Sequence, residues 1–164
     1  MILYVIRHAW AEEPDDPKWT DDRQRPLTDE GKQRFARMVK LLAERGFAPE
    51  LAATSPLLRC RQTAELVAKH SPQRPRIVER TELEPNSDLE GILRWTRAQA
   101  GDVEQLAWIG HAPDVGRMAA SLIGDARGAI RFAKGAVAAI RFAGPPRGEQ
   151  GELQWLVTAK ILGC

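Results

Sequence analysis

Residues 1–14 read MILYVIRHAWAEEP, and the step from Ile6 to Arg7 and His8 decides what kind of fold can follow. Ile2 to Ile6 is a short, continuous apolar run rich in β-branched side chains, which suits a strand buried on both faces. Such a strand belongs to a sheet with helices above and below it. This one ends by setting a guanidinium against an imidazole. Two such groups repel when both are charged, so the pairing calls for a third partner.

The rest of the chain supplies the layers. Residues 14–26 (PDDPKWTDDRQRP) are polar and carry three prolines, the composition of a loop. A helix is expected from Thr28 to Arg45, with Phe35, Met38, Val39 and Leu42 as its apolar stripe and Gly46 as its terminator. Glu50–Ser55 reads as a second strand. Ser55-Pro56 predicts a helix start, Ser as N-cap and Pro in the first turn, running to Lys69 and burying Cys60, Ala64 and Val67. Arg76–Glu79 is a third strand. Ser87 to Glu90 (SDLE) matches a capping box and opens a helix with Leu89, Ile92, Leu93 and Trp95. Leu106–His111 is a fourth strand, followed by a helix through Val115, Met118, Ala119 and Leu122. AVAAIRF and ELQWLV, separated by AGPPRGEQG, read as an antiparallel hairpin. The expected fold is α/β, a single-domain three-layer α/β/α sandwich over residues 1–164. Its sheet is mostly parallel, of about six strands, with an antiparallel C-terminal hairpin.

The chain has 164 residues, enough for one domain with a real core. With 24 basic and 22 acidic residues its net charge is +2, too balanced to argue for nucleic acid, and no basic block appears. The opening apolar run is too short for a signal peptide and no stretch reaches membrane-spanning length, so a cytoplasmic protein is expected. Cys60 and Cys164 are the only cysteines and form no CxxC pair, which argues against a disulfide scaffold or a thiolate zinc site. Cys60 is expected as a small buried apolar residue.

In open α/β sheets, ligands bind beyond the carboxyl ends of the strands. The first strand delivers Arg7-His8 there, the second leads to Arg59, and the fourth delivers Gly110-His111. Either histidine alone would pass for a loop residue, but two histidines and two arginines at equivalent strand ends converge. His70, at a helix end, is expected to be helix-terminal or on the surface. Unit charges about 4 Å apart interact by about 4 kcal/mol at an effective dielectric of about 20, so neighbouring arginine disfavours the His8 imidazolium. A neutral His8 keeps a lone pair for nucleophilic attack. The same cluster welcomes a dianionic phosphoryl group, which arginine grips through paired oxygens. Helix starts near Pro56 and Pro113 would add N–H donors.

These segments resemble the histidine phosphatase superfamily, which includes the phosphoglycerate mutases. The resemblance rests on Arg7-His8-Ala9, on Ser55-Pro56-Leu57-Leu58-Arg59-Cys60-Arg61-Gln62-Thr63, and on Gly110-His111-Ala112-Pro113. Residues 25–31 (RPLTDEG) and Glu82–Pro85 (ELEP) look like further pieces of the short SixA-type phosphohistidine phosphatases. The resemblance implies that His8 forms a phosphohistidine intermediate which water hydrolyses. Arg7, Arg59 and His111 would hold the phosphoryl oxygens. It implies no metal and no cofactor. Two histidines from distant segments are also a potential metal-ligand pair, but the arginines oppose a cation there. Ala9 stands where the wider family has Gly, which would cost on the order of 1 kcal/mol if that position needed positive φ.

A general acid is harder to place, because Ala112 rather than an acid follows His111. Glu82 is the candidate, with Asp88 behind it. A missing acid would suit a P–N substrate, whose imidazole leaving group is easily protonated. Arg25 either reaches the pocket or pairs with Asp21 and Asp22. Arg61 is expected to bridge to Glu65, and Trp10 and Trp19 to flank the mouth, as core or cover by default. The function expected is dephosphorylation of phosphohistidine on a partner protein, such as a phosphotransfer domain or phosphocarrier, by a monomer whose site also takes phosphate or sulfate. The alternatives are a small-molecule phosphomonoesterase and a non-catalytic phosphate-binding module.

Overall fold

A computed structural model describes residues 1–128 and 130–164 of the chain. The first strand, β1 (Ile2–Arg7), pairs in parallel with β4 (Gln105–Gly110) and antiparallel with β5 (Val137–Arg141). Outward from β4 lie β2 (Leu51–Thr54) and β3 (Arg76–Glu79), both parallel. Outward from β5 lies the antiparallel β6 (Glu152–Val157). The six strands form one sheet in the order β3-β2-β4-β1-β5-β6.

Alternation along the central strands sorts the core into two halves. Tyr4, Ile6, Ala107 and Ile109 point to one face, where α1 (Asp29–Ala43) and α2 (Leu58–His70) cover them. Leu3, Val5, Leu106 and Trp108 point to the other, under α3 (Leu89–Gln99) and α4 (Asp114–Leu122). This is the expected three-layer α/β/α sandwich with its antiparallel C-terminal hairpin. Trp108 is fully buried, and its indole N–H donates to Thr96 Oγ1 at 2.9 Å, so the core's largest side chain leaves no unpaired polar atom.

Helix boundaries follow their caps. Thr28 Oγ1 accepts the Gly31 N–H at 2.9 Å to open α1, and Gly46, at φ +90°, takes the left-handed turn after it. Two expected starts are corrected. Asp88, not Ser87, caps α3, its Oδ1 accepting the Gly91 N–H at 2.9 Å, while the Ser87 hydroxyl donates to the Glu84 carbonyl. Helix α2 begins at Leu58, with Leu57 at the N-cap position and no side-chain cap; the Ser55 hydroxyl, two residues earlier, accepts the Leu57 N–H at 3.4 Å and lies 2.9 Å from His111 Nε2. Arg61 pairs with Glu79 on β3 at 3.5 Å instead of with Glu65. An arginine four residues before a glutamate is the weaker helical order, and a strand-end carboxylate is in reach.

Candidate active site

Register builds the site. Arg7 lies opposite Gly110 across the β1–β4 ladder, so His8 and His111 are the next residues past two aligned strand ends. The His8 N–H donates to the Gly110 carbonyl at 3.0 Å and extends the pairing one step. The rings sit 5.4 Å apart, centroid to centroid, and both are buried.

His8 is oriented by its own chain. Nδ1 lies 2.8 Å from the Ala9 carbonyl oxygen, which can only accept, so Nδ1 carries the proton and Nε2 keeps the lone pair. Burial pulls the His8 pKa down to about 3. The Ala9 carbonyl opposes this, and the nearby His111, Arg59 and Arg7 add to it. The neutral ring expected from arginine repulsion is thus owed first to lost hydration. His111 is lowered to about 4, by burial and then by Arg59, with the carboxylates of Asp22 and Glu84 pulling the other way. Ala9 is buried in the core, and its φ is not positive, so a methyl group is accommodated without backbone strain.

The signature around Arg59 divides into functional and stapling residues. Gln62 Oε1 accepts the Leu27 N–H at 2.7 Å, and Thr63 Oγ1 accepts the Ala9 N–H at 3.1 Å. Helix α2 thereby holds both the loop before α1 and the turn after β1. Ser55 Oγ lies 2.9 Å from His111 Nε2, with the buried Cys60 Sγ 3.4 Å from the same nitrogen. Ser55, read from sequence as a helix cap, fixes the second imidazole instead.

The guanidinium groups are held in place before any ligand arrives. Arg7 donates to the Phe132 carbonyl at 2.8 Å. Arg59, with 5% of its side chain exposed, donates from its two terminal nitrogens to Asp22, at 2.8 Å to the carbonyl and 2.9 Å to Oδ2. The Nε atoms of both arginines are buried without a partner among the described residues. Arg25 combines parts of both expected placements, with Asp22 and not Asp21 as its acidic partner. It pairs with Asp22 Oδ1 at 2.8 Å, donates to the Glu12 carbonyl at 2.7 Å, and lines the pocket.

Arg7, His8, Arg25, Arg59 and His111 thus share one hollow of about 470 Å³. Five cationic side chains line it, with Arg117 and Lys134 added to the three arginines, against two carboxylates, Glu13 and Asp114. Neither expected acid is among its lining residues. Glu82 is ion-paired with Arg80; burial pushes its carboxyl up, but the Arg80 hydrogen bond and charge outweigh this and hold it below the usual range. Asp88 is the cap of α3. Trp10 and Trp19 are half-buried and also lie outside the lining, with the Arg34 guanidinium stacked over Trp10. Sequence reasoning missed Asp22 as the hub of Arg25 and Arg59. It also missed Asp114, whose Oδ2 accepts the N–H of Asn86, a residue at φ +68° on the rim.

Paired histidines and arginines at the carboxyl edge of an α/β/α sheet define a class of phosphoryl-handling enzyme. The model of the histidine phosphatase superfamily (branch 1) matches residues 3–124, and the chain belongs to that family. An uncharacterized protein of Picosynechococcus sp. is 36% identical over 124 residues, 74% of this chain and 73% of that protein. Among solved structures, the protein histidine phosphatase SixA complexed with tungstate superposes with a TM-score of 0.84 at 25% identity, covering 99% of both chains. The alpha-ribazole phosphatase of Shigella flexneri shares the fold, with a TM-score of 0.68 at 17% identity over 97% of both. So does a phosphoserine phosphatase mutant of Entamoeba histolytica in complex with phosphoserine, with a TM-score of 0.65 at 11% identity over 98% of both. No helix of the described residues is long and apolar enough to cross a membrane.

Proposed function

We propose that this chain is a phosphatase that dephosphorylates phosphohistidine on a partner protein through a covalent intermediate on His8. The observation that carries the reading is the free Nε2 lone pair of a neutral, buried His8 beside Arg7, Arg59 and His111. Nε2 attacks phosphorus as the bond to the substrate imidazole breaks, and that ring, already protonated on its other nitrogen, leaves as neutral imidazole. Water then attacks the phosphoryl group on His8, releasing phosphate and restoring the lone pair. Arg7, Arg59 and His111 donate to the phosphoryl oxygens, and the anion offsets the repulsion among them. Arg25 contributes at the entrance. No step in this scheme calls for a metal ion or a cofactor.

The substrate choice is supported by the acids. Glu82 and Asp88 are engaged outside the hollow, and an imidazole leaving group has little need of a donor. The similarity to the protein histidine phosphatase SixA points the same way. On this reading the chain acts as a cytoplasmic monomer on a phosphotransfer domain or phosphocarrier.

A second reading, a small-molecule phosphomonoesterase, is favoured by Glu13 and Asp114, two carboxylates that do line the hollow. The deciding experiment compares hydrolysis of phosphohistidine proteins with a panel of alkyl phosphates, with His8→Ala as control. The expected result is turnover of phosphohistidine, an acid-labile and base-stable label on His8, and loss of both in the control. Rapid ester hydrolysis without action on phosphohistidine would select the second reading.

A further inference from the structure

A second hollow, of about 370 Å³, adjoins the catalytic one and shares Arg7, Ala112, Pro113 and Arg117 with it. Its far wall is Gly116, Ile130, Arg131 and Phe132. No carboxylate is among its described lining residues. Arg131 is exposed and close enough to Arg7 that its charge opposes protonation there. Arg117 keeps 69% of its side chain exposed and reaches Asp114 only at 3.8 Å, the limit of an ion pair. We propose that this second hollow recognises carboxylate groups flanking the phosphorylated residue of an acidic partner protein. The inference rests on the phosphohistidine reading above and adds the character of the partner's surface.

Continuity sets the distance. Arg7 is a wall of both hollows, so whatever occupies the second lies beside the phosphoryl group in the first. Charge sets the ligand class, because two exposed arginines with no lining carboxylate attract an anion. Exposure sets the source. Arg59, at the phosphoryl site, is buried and clamped by hydrogen bonds, whereas Arg117 and Arg131 face solvent. Each contact they make is weak and screened, and such contacts matter when they act together across an extended complementary surface. The exposed Ala112 and Pro113, together with the half-buried Ile130, give the lining the apolar area a protein contact uses.

The rim is also fixed in place. A Cβ on Gly116 would fall 2.1 Å from the Ile130 carbonyl oxygen, so the segment before β5 lies directly on α4. That contact holds Arg131 and Arg117 to one edge.

The test uses two phosphohistidine peptides that differ only in carrying glutamate or glutamine at the flanking positions. The native chain is expected to prefer the glutamate peptide by about fivefold in kcat/KM at low salt. The preference should shrink as ionic strength rises, and it should vanish or invert in Arg131→Glu and Arg117→Glu. Because the readout is a ratio within one preparation, a partly folded variant cannot imitate it. Equal turnover of the two peptides by the native chain would overturn the proposal, as would a preference that survives both substitutions. If the substitutions instead erase a preference for an alkyl bisphosphate over a monophosphate and leave the peptide ratio alone, the hollow serves a small molecule and the assignment to a protein is overturned. Turnover of neither peptide alongside rapid ester hydrolysis would overturn the phosphohistidine reading itself, and the partner assignment with it.

Discussion

Asp22 grips Arg59 twice, through its carbonyl oxygen at 2.8 Å and its Oδ2 at 2.9 Å, while its Oδ1 holds Arg25 at 2.8 Å. One loop carboxylate therefore aligns two arginines of the pocket. Replacing Asp22→Asn keeps the carbonyl contact and removes the charge. Expected is a fall of about tenfold in kcat/KM, with a loss of roughly 1 kcal/mol in folding stability because the carboxylate is half exposed. Burial pushes the Asp22 carboxyl up, but Arg25 and Arg59 outweigh it and hold the group below its usual range. A depressed acid stabilises above its unfolded value of about 3.9 and stops doing so as pH falls through its folded value. The stability gap between native and variant should therefore be flat from pH 5 to 8 and close below about pH 4 in denaturant titrations.

The two buried imidazoles act with the same proton balance, over a higher pH window. His8, lowered to about 3, and His111, lowered to about 4, stay neutral in the folded chain where the unfolded chain, with histidines near 6.5, already binds protons. Stability is then fully present above about pH 6.5 and falls as pH drops below it, by up to about 1.4 kcal/mol per unit per histidine. Thermal melts should show a slope between pH 7 and 5 that His8→Asn reduces. Sulfate, a dianion throughout this range, should raise Tm more at pH 5 than at pH 8, since it favours the charged rings. A sulfate effect that is equal at both pH values would count against a site formed around these two histidines.

Cys60 is fully buried, and burial raises its thiol to about 12 against the opposing pull of Arg59. It should resist iodoacetamide in the folded chain, since the thiolate is the reactive form. Cys164 is only half-buried. Mass spectrometry after labelling at pH 7.5 should find the adduct on Cys164 alone, and on both cysteines once the chain is unfolded in guanidinium.

Gly116 tests how Arg7 is supported. An added methyl group must displace the Ile130 carbonyl, two residues before the Phe132 carbonyl that receives Arg7. Gly116→Ala should cost about 1–3 kcal/mol of stability, as overpacking does, and should lower kcat/KM as well. Gly144→Ala is the control, because nothing lies within 4 Å of the methyl position there. It should leave both measurements unchanged.

Much of this was readable along the chain. Arg7, His8 and His111 stand directly after apolar strands, and Arg59 follows a Ser-Pro step, so local pattern and general topology suffice to bring them together. Asp22 was not readable, because the same loop holds Asp15, Asp16 and Asp21, and only tertiary placement selects one of four similar carboxylates. Ser55 suits a helix cap by local propensity, yet α2 starts three residues later and the hydroxyl lies against the His111 nitrogen. Glu82 suits an acid by position, but Arg80, two residues earlier, captures it. The stretch between α4 and β5, which carries Phe132 and Arg131, has no periodicity to reveal that it braces Arg7.

The spacing of the two imidazoles is set by the hydrogen-bonded ladder joining β1 to β4, the middle of the sheet. The placement of the two rings and the most protected part of the core therefore share one fate. No local fraying of loops or outer strands can part the pair while the centre survives. Amides of both strands should consequently exchange among the slowest in the molecule.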